Sequence, residues 1–312
     1  NGKIQDRISL PLGSLRLRTL KDCSPSSLML MIKDELSRVS WISKFNKRPI
    51  FAVGGSWRNL ARMHMSADKY PLRIIHGYKI ASPSFILFLE KITRSSLEEL
   101  EAMGGVSKKR IKEVTVSATI LKSLLELGKN NCIIFSAFGI REGCIFKHLS
   151  SEEQKNDPLL INCEKIASST RRFTLTSNEL ENWALPLFKN LDKHNRRLLK
   201  AACILSDFAW ADHPSYRARQ AFLRILRFPA IGLTHDDKVF LALAILVRYG
   251  GNLSDFELEK WNELIPLERL HTALKIGTAI RLGINLSAGL DGLLQQIEMV
   301  KSKKIIMIKY SP

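Results

Sequence analysis

The stretch Ile50-Phe51-Ala52-Val53-Gly54-Gly55-Ser56-Trp57-Arg58 decides how the first half of this chain is read. Four apolar residues make a short buried strand, paired glycines break it, and the run from Trp57 to about Met65 continues as a helix. A strand that turns on glycine into a helix aims bare backbone N–H groups, and the positive end of the helix, at one point. Glycine lets an oxyanion approach the main chain, and Arg58 stands where a guanidinium could clamp it. A Gly-Gly corner is also the plain signature of a tight turn with positive φ and a solvated Arg58, and taken alone the pair favours that plainer reading.

On the N-terminal side, residues 4–17 alternate apolar and polar around Pro11-Leu12-Gly13, which predicts two short strands or one broken strand. Ser24-Pro25-Ser26-Ser27 predicts a helix start, with Leu30, Ile32, Leu36 and Val39 on one stripe. On the C-terminal side, residues 84–103 predict helix in two pieces, stopped at Gly104-Gly105. Ser107 then predicts the cap of one long helix carrying Ile111, Val114, Ala118, Leu121 and Leu125, ended by Gly128. Cys132 to Phe135 is a second apolar strand, and Gly139 opens a further helical turn, Ile140-Arg141-Glu142-Gly143. Alternating helices and strands make residues 1–150 an α/β lobe.

Within it, Lys108, Lys109 and Arg110 load positive charge onto the start of a helix, where it opposes the macrodipole. A bound anion would resolve the conflict, and so would three exposed side chains tolerating a small cost. Arg110, next to apolar Ile111, is the better anion ligand of the three.

Composition shifts at Ser150 to Pro158, read as a linker. Helical periodicity follows over 158–171, 177–191, 194–210, 214–226, 236–249, 255–264 and 267–286, giving an all-helical domain over 151–289. Residues 290–312 are a short last segment in which Lys304 to Tyr310 reads as one strand with little to pair with. His235-Asp236-Asp237 precedes an apolar run and reads as helix capping. His64, His76, His148, His194 and His271 show no i, i+4 pairing with another ligand, and no Ser-His-Asp or Cys-His constellation can be argued. Arg281, in an apolar helix, is expected to pair with an acidic neighbour.

Forty-eight Lys plus Arg against thirty Asp plus Glu give a net charge of +18, which attracts polyanions without choosing among nucleic acid, membrane and phosphate chains. With 45% hydrophobic and 25% charged residues the chain is an ordinary globular sequence, which excludes disorder as a default. Five scattered cysteines without a CxxC pair point to a reducing compartment. Neither a membrane-length apolar run nor a signal peptide is read, so a cytoplasmic protein with no membrane partner is expected.

Four segments in order resemble the exopolyphosphatase/guanosine pentaphosphate phosphohydrolase (Ppx/GppA) family. They are Ile8 to Leu17, Phe51 to Arg62, the helix from Ser107 to Leu125, and Phe135-Ser136-Ala137-Phe138-Gly139-Ile140-Arg141-Glu142-Gly143, which is similar to the family's Ser-x-x-Gly-x-Arg-Glu-Gly block. Leu199 to Asp207 and Lys238 to Tyr249 resemble the degenerate HD-type domain that follows, with Ser206 where an HD motif would have His, so no metal is expected there.

The resemblance implies an α/β ribonuclease H-like lobe of the actin/Hsc70/sugar kinase type, the second of two such lobes, followed by an all-α HD-like domain and the start of a small C-terminal α/β segment. It implies an exopolyphosphatase that releases terminal phosphate from inorganic polyphosphate or from guanosine pentaphosphate with Mg²⁺. Gly54, Gly55, Ser56, Arg58 and Arg110 would bind phosphate. The first phosphate loop, the catalytic glutamate, the Mg²⁺ ligands and the Asp-x-Gly-Gly-Gly-Ser loop are expected upstream of Asn1, so the chain alone is expected to be inactive. Arg110-Ile111-Lys112 departs from the family's Arg-Ala-Asp, and Ser117 from a common glycine. Monomer and homodimer both stay open. The alternative reading is a non-catalytic basic protein that binds polyanions or RNA.

Overall fold

The computed structural model describes residues 4–18, 25–170, 172–188, 190–252, 259–301 and 306–310. The chain divides into two units, Asn1–His148 and Leu149–Pro312.

In the first unit the described helices are α1 (Ser14–Arg18), α2 (Pro25–Ser37), α3 (Gly55–Ala67), α4 (Ser82–Arg94), α5 (Leu97–Met103), α6 (Lys108–Ile111), α7 (Val114–Gly128) and α8 (Ile140–His148). Its sheet holds β1 (Ile50–Val53), β2 (Tyr78–Ala81) and β3 (Cys132–Ser136) in the order β1-β3-β2. The β1–β3 pair is parallel, with Val53 opposite Ser136, so both strands deliver their C-terminal ends to the same side. β2 runs antiparallel on the far side of β3. The apolar face of this sheet, Ala52, Ile133, Phe135, Tyr78 and Ile80, packs in one core with Leu60 and Met63 of α3, Phe85 and Leu89 of α4, and Leu121 of α7. Burying such side chains contributes about 1.5–3 kcal/mol each, which anchors α3 and α7 firmly behind the strand ends.

Several sequence expectations change here. Residues 4–13 carry no strand and Ser14–Arg18 is a helical turn; Pro11 supplies no N–H for a ladder, and the described sheet has three other strands. β1 was expected to be buried, but it is an edge strand: Ala52 is fully buried while Phe51 and Val53 are 62% and 44% exposed. β2 was missed, being too short for its alternation to stand out. The single helix expected from Ser107 is two, α6 and α7, broken at Lys112-Glu113, and the Ser107 side chain makes no capping bond. Four cations at positions 108, 109, 110 and 112 weaken a continuous helix start by opposing its dipole. The start expected at Ser24 lies outside the described residues, and α2 is described from Pro25.

The second unit is helical, with α9 (Pro158–Ser168), α10 (Ser177–Ala184), α11 (Lys193–Ile204), α12 (Pro214–Leu226), α13 (His235–Arg248), α14 (Glu259–Asn262) and α15 (Leu267–Ser287) among its described residues. α13 is central: every residue from Val239 to Leu246 is buried. It meets α15 so closely at Gly277 that an added Cβ would lie 2.3 Å from the Ala244 carbonyl oxygen, so only glycine fits. α11 ends at Ile204, short of the expected 210, where the chain turns back through 3₁₀-like bonds such as Ser206 N to Cys203 O. The final strand is not alone. β4 (Ile297–Lys301) pairs antiparallel with β5 (Ile306–Tyr310) in a hairpin, Met299 opposite Ile308; positions 304 and 305 of the expected strand lie outside the described residues.

Candidate phosphate-binding cleft

Gly54 is the N-cap of α3 at φ 124°, ψ 160°, a backbone that side-chain-bearing residues rarely adopt. Gly55 is different: its φ is ordinary, and an added Cβ would meet nothing within 4 Å. The fold therefore demands glycine at position 54 and leaves open space beside position 55. No side chain caps α3 and no acidic residue sits in its first turn, so the positive end of a thirteen-residue helix is left to whatever lies outside it. Ser56, in that first turn, meets Ser14 of α1 Oγ to Oγ at 3.0 Å.

Two cavities open at this corner. One of about 200 Å³ is bounded by Leu12, Ser14, Gly54, Gly55, Ser56 and Ser117. The other, of about 330 Å³, is bounded by Gly55, Ser56, Asn59, Lys109, Arg110 and Glu113. Gly55 and Ser56 line both, and the second places Arg110 opposite the start of α3. Lys108 is drawn off by Glu101 at 2.9 Å.

Arg58 is tethered. Its Nη1 donates to the Ala137 carbonyl at 2.9 Å, linking the corner to the loop after β3. That loop is held locally: Phe138 N donates to Ser136 Oγ at 3.1 Å and Gly139 N to Glu142 Oε2 at 2.6 Å. The Gly139 N–H, with help from Arg141 and Arg58, holds the Glu142 carboxyl below its usual range.

Arg62 is the residue sequence reading missed. Its guanidinium donates to Asn59 Oδ1 at 3.0 Å, one turn back along α3. Its pKa is lowered by burial first, then by the positive charges of Arg58 and Arg110. The positive charges of Arg58 and Arg110 thus reach Arg62, two turns into α3, and a bound anion would offset them. The signal was present as Gly55, Asn59 and Arg62, at i, i+4 and i+7, with Ser56 beside them at i+1.

For Mg²⁺ the donor set is poor. Glu113 is the one carboxylate lining this cleft, and no group of three His, Cys, Asp or Glu among the described residues could hold a metal ion. The described residues therefore do not by themselves fit a resident metal ion.

In the helical unit, Thr234 and Asp237 form a capping box on α13, as the capping reading required. Asp237 accepts from Arg269 at 2.7 Å and meets His194 Nε2 at 2.6 Å, while Asp236 pairs with the same Arg269. Burial pushes the Asp237 carboxyl up, but bonds from Arg269, His194 and Thr234 outweigh it and hold the group below its usual range. Asp207 is held between Arg172 at 3.2 Å and Arg248 at 3.8 Å. Arg281, expected to be buried and paired with an acid, is instead exposed and lies against Gly250.

Comparison with known proteins brings two family descriptions onto this geometry. Residues 1–152 match "Ppx/GppA phosphatase family" and residues 159–309 match "Exopolyphosphatase, C-terminal". Among curated proteins the chain is similar to Retrograde regulation protein 2 of Saccharomyces cerevisiae, 28% identical over 229 residues, covering 69% of this chain and 37% of that protein. Among solved structures it is similar to the type II variant of the Aquifex aeolicus Ppx/GppA phosphatase (23% identity, TM-score 0.38, 47% of this chain and 51% of that one). A second Aquifex aeolicus family structure matches at 22% identity and TM-score 0.39, over 50% of this chain and 51% of that one. The chain thus spans about half the length of these solved relatives and less of the curated one. No described helix is long and apolar enough to cross a membrane.

Proposed function

The chain belongs to the Ppx/GppA phosphatase family, and on that premise we propose that its first unit grips the phosphate end of a phosphoanhydride substrate, inorganic polyphosphate or guanosine pentaphosphate. The observation that carries this reading is the cleft in which Gly55 and Ser56 of an uncapped helix start face Arg110. Gly54 and Gly55 present main-chain N–H groups, Ser56 a hydroxyl, and Arg58 and Arg110 guanidinium donors. Phosphoryl transfer is chiefly positioning and charge neutralisation, so such a cradle is half of what the reaction needs.

The other half is a base that activates water. Glu113 is the one carboxylate that lines the cleft, beside Arg110 and Lys109, and the family's base is expected in a different lobe. We therefore assign this chain binding without turnover: the catalytic glutamate and the Mg²⁺ ligands would come from residues outside it, in a ribonuclease H-like lobe facing this one. The helical unit is read as a metal-free, HD-like appendage whose Asp207 is held by arginines instead of a metal.

Phosphate release from long-chain polyphosphate by the purified chain, with Mg²⁺ present, tests the assignment. Binding without measurable release is expected; steady release would place a working base within this chain and overturn the assignment. The yeast relative's name, a regulation protein, favours a second reading in which a Ppx/GppA chain binds its polyanion as a signal. Under that reading, adding the upstream lobe would restore no turnover.

A further inference from the structure

α3 carries more than its N-terminus. Along the face that begins at Gly55 and Ser56 come Asn59, Arg62 and Ser66, at successive i, i+3 or i+4 steps. Gly55, Ser56 and Asn59 line the cleft already described; Arg62 and Ser66 line the next cavity, of about 300 Å³, together with Met65, Arg73, Ile75 and Gly105. The hydrogen bond from Arg62 to Asn59 joins the two. Gly105 sits so close that an added Cβ would lie 2.7 Å from the Arg62 carbonyl oxygen, which presses the α5–α6 turn against this stretch of α3 and makes the far wall. Arg73 is exposed, and no ion pair or hydrogen bond engages its guanidinium among the described residues. No carboxylate lines this second cavity.

We propose that Arg62, Ser66 and Arg73 form a second anion subsite, so that the ligand lies along α3 as a linear run of phosphoryl groups instead of touching only its end. The proposal rests on the reading of the Gly54–Gly55 corner and names Arg73 as a chain-length determinant within it. From Ser56 to Ser66 the helix rises about 15 Å at about 1.5 Å per residue, too far for one phosphate to reach both ends. Regularly spaced negative charge matches a row of Gly55 N–H, Arg110, Arg62 and Arg73. The Met65 and Ile75 walls offer no hydrogen bond to a base or sugar, which favours an unbranched phosphate chain.

The test titrates the full chain with orthophosphate, tripolyphosphate and long-chain polyphosphate at fixed ionic strength. It compares wild type with Arg73→Gln, Arg110→Gln and, as a control for lost charge, Arg94→Gln on α4, whose side chain pairs with Glu90 on the same helix. Arg73→Gln should weaken long-chain polyphosphate roughly fivefold and leave tripolyphosphate unchanged, while Arg110→Gln weakens both. If Arg73→Gln matches Arg94→Gln on every ligand while Arg110→Gln still weakens them, the second subsite is wrong and the corner stands. If Arg73→Gln weakens all three ligands equally, its effect is general electrostatics and the subsite is again wrong. If Arg110→Gln changes nothing, the corner reading fails, and the extension built on it fails too.

Discussion

Arg58 Nη1 donates to the carbonyl of Ala137 at 2.9 Å across seventy-nine residues of sequence, pinning the β1–α3 corner to the loop after β3. This arginine therefore braces the corner, and it lines neither of the two cavities there. Arg58→Ala should cost about 1 kcal/mol, modest because the bond is partly exposed, and should loosen the corner. Urea unfolding checks the stability, and polyphosphate titration the cleft; unchanged values in both would detach Arg58 from the site.

The two glycines should behave oppositely. Gly54→Ala forces a Cβ into a φ of 124° and should destabilise by about 1–3 kcal/mol. Gly55→Ala meets no neighbour at an ordinary φ and should be neutral or stabilising by up to about 1 kcal/mol, yet it should weaken phosphate binding by crowding the open side. Thermal melts beside binding isotherms separate the effects. A Gly55→Ala chain that binds as wild type would mean the space is not used.

Lys238 is fully buried, its Nζ bonded to the Phe228 carbonyl, and burial pulls its pKa down to about 8. The unfolded lysine keeps its proton up to about 10.4, so between those values the unfolded chain binds the extra proton and stability rises with pH. Below pH 8 both states are protonated and the full cost of a buried charge, a few kcal/mol, is present. Lys238→Met should raise stability near pH 7 and flatten the rise between pH 8 and 10. Unfolding curves across that range measure both.

Asp237 titrates the other way. Its folded pKa is depressed, so its contribution is complete above about pH 4 and is lost as acid protonates the folded carboxyl. Asp237→Asn leaves Arg269 and His194 short of a partner and should cost about 3 kcal/mol while removing part of the acid sensitivity. Acid titration of stability in the two proteins compares them directly.

Legibility in the sequence followed the strength of each periodic signal. α12, Pro214–Leu226, and α13 were readable nearly to the residue, because Pro214, the acidic start His235-Asp236-Asp237 and a long apolar run mark them. β2 escaped because four residues, Tyr78 to Ala81, hold too little alternation, and its partner β3 lies more than fifty residues away. The break between α6 and α7 was hidden by an apolar stripe that runs through it, and the opposition of the cations to the helix dipole, though noted, was judged too small to break the helix. At the site, the Gly54 turn and Arg110 were visible as local chemistry. Arg62 was not singled out, since its link to the cleft runs through its bond to Asn59 and the charges of Arg58 and Arg110, which only the folded chain brings near it. The distinct roles of Gly54 and Gly55 likewise needed backbone angles that letters do not carry.

The most direct test of the central claim, that the start of α3 and Arg110 together hold a phosphoanhydride, is competition on the intact chain. Long-chain polyphosphate bound at moderate salt is challenged with single-stranded RNA of equal total charge. The account predicts that RNA displaces it only at about tenfold excess or more, and that this margin disappears in Arg110→Gln. Displacement at equal charge, with the same curve for Arg110→Gln, would contradict it and leave a basic surface with no phosphate site.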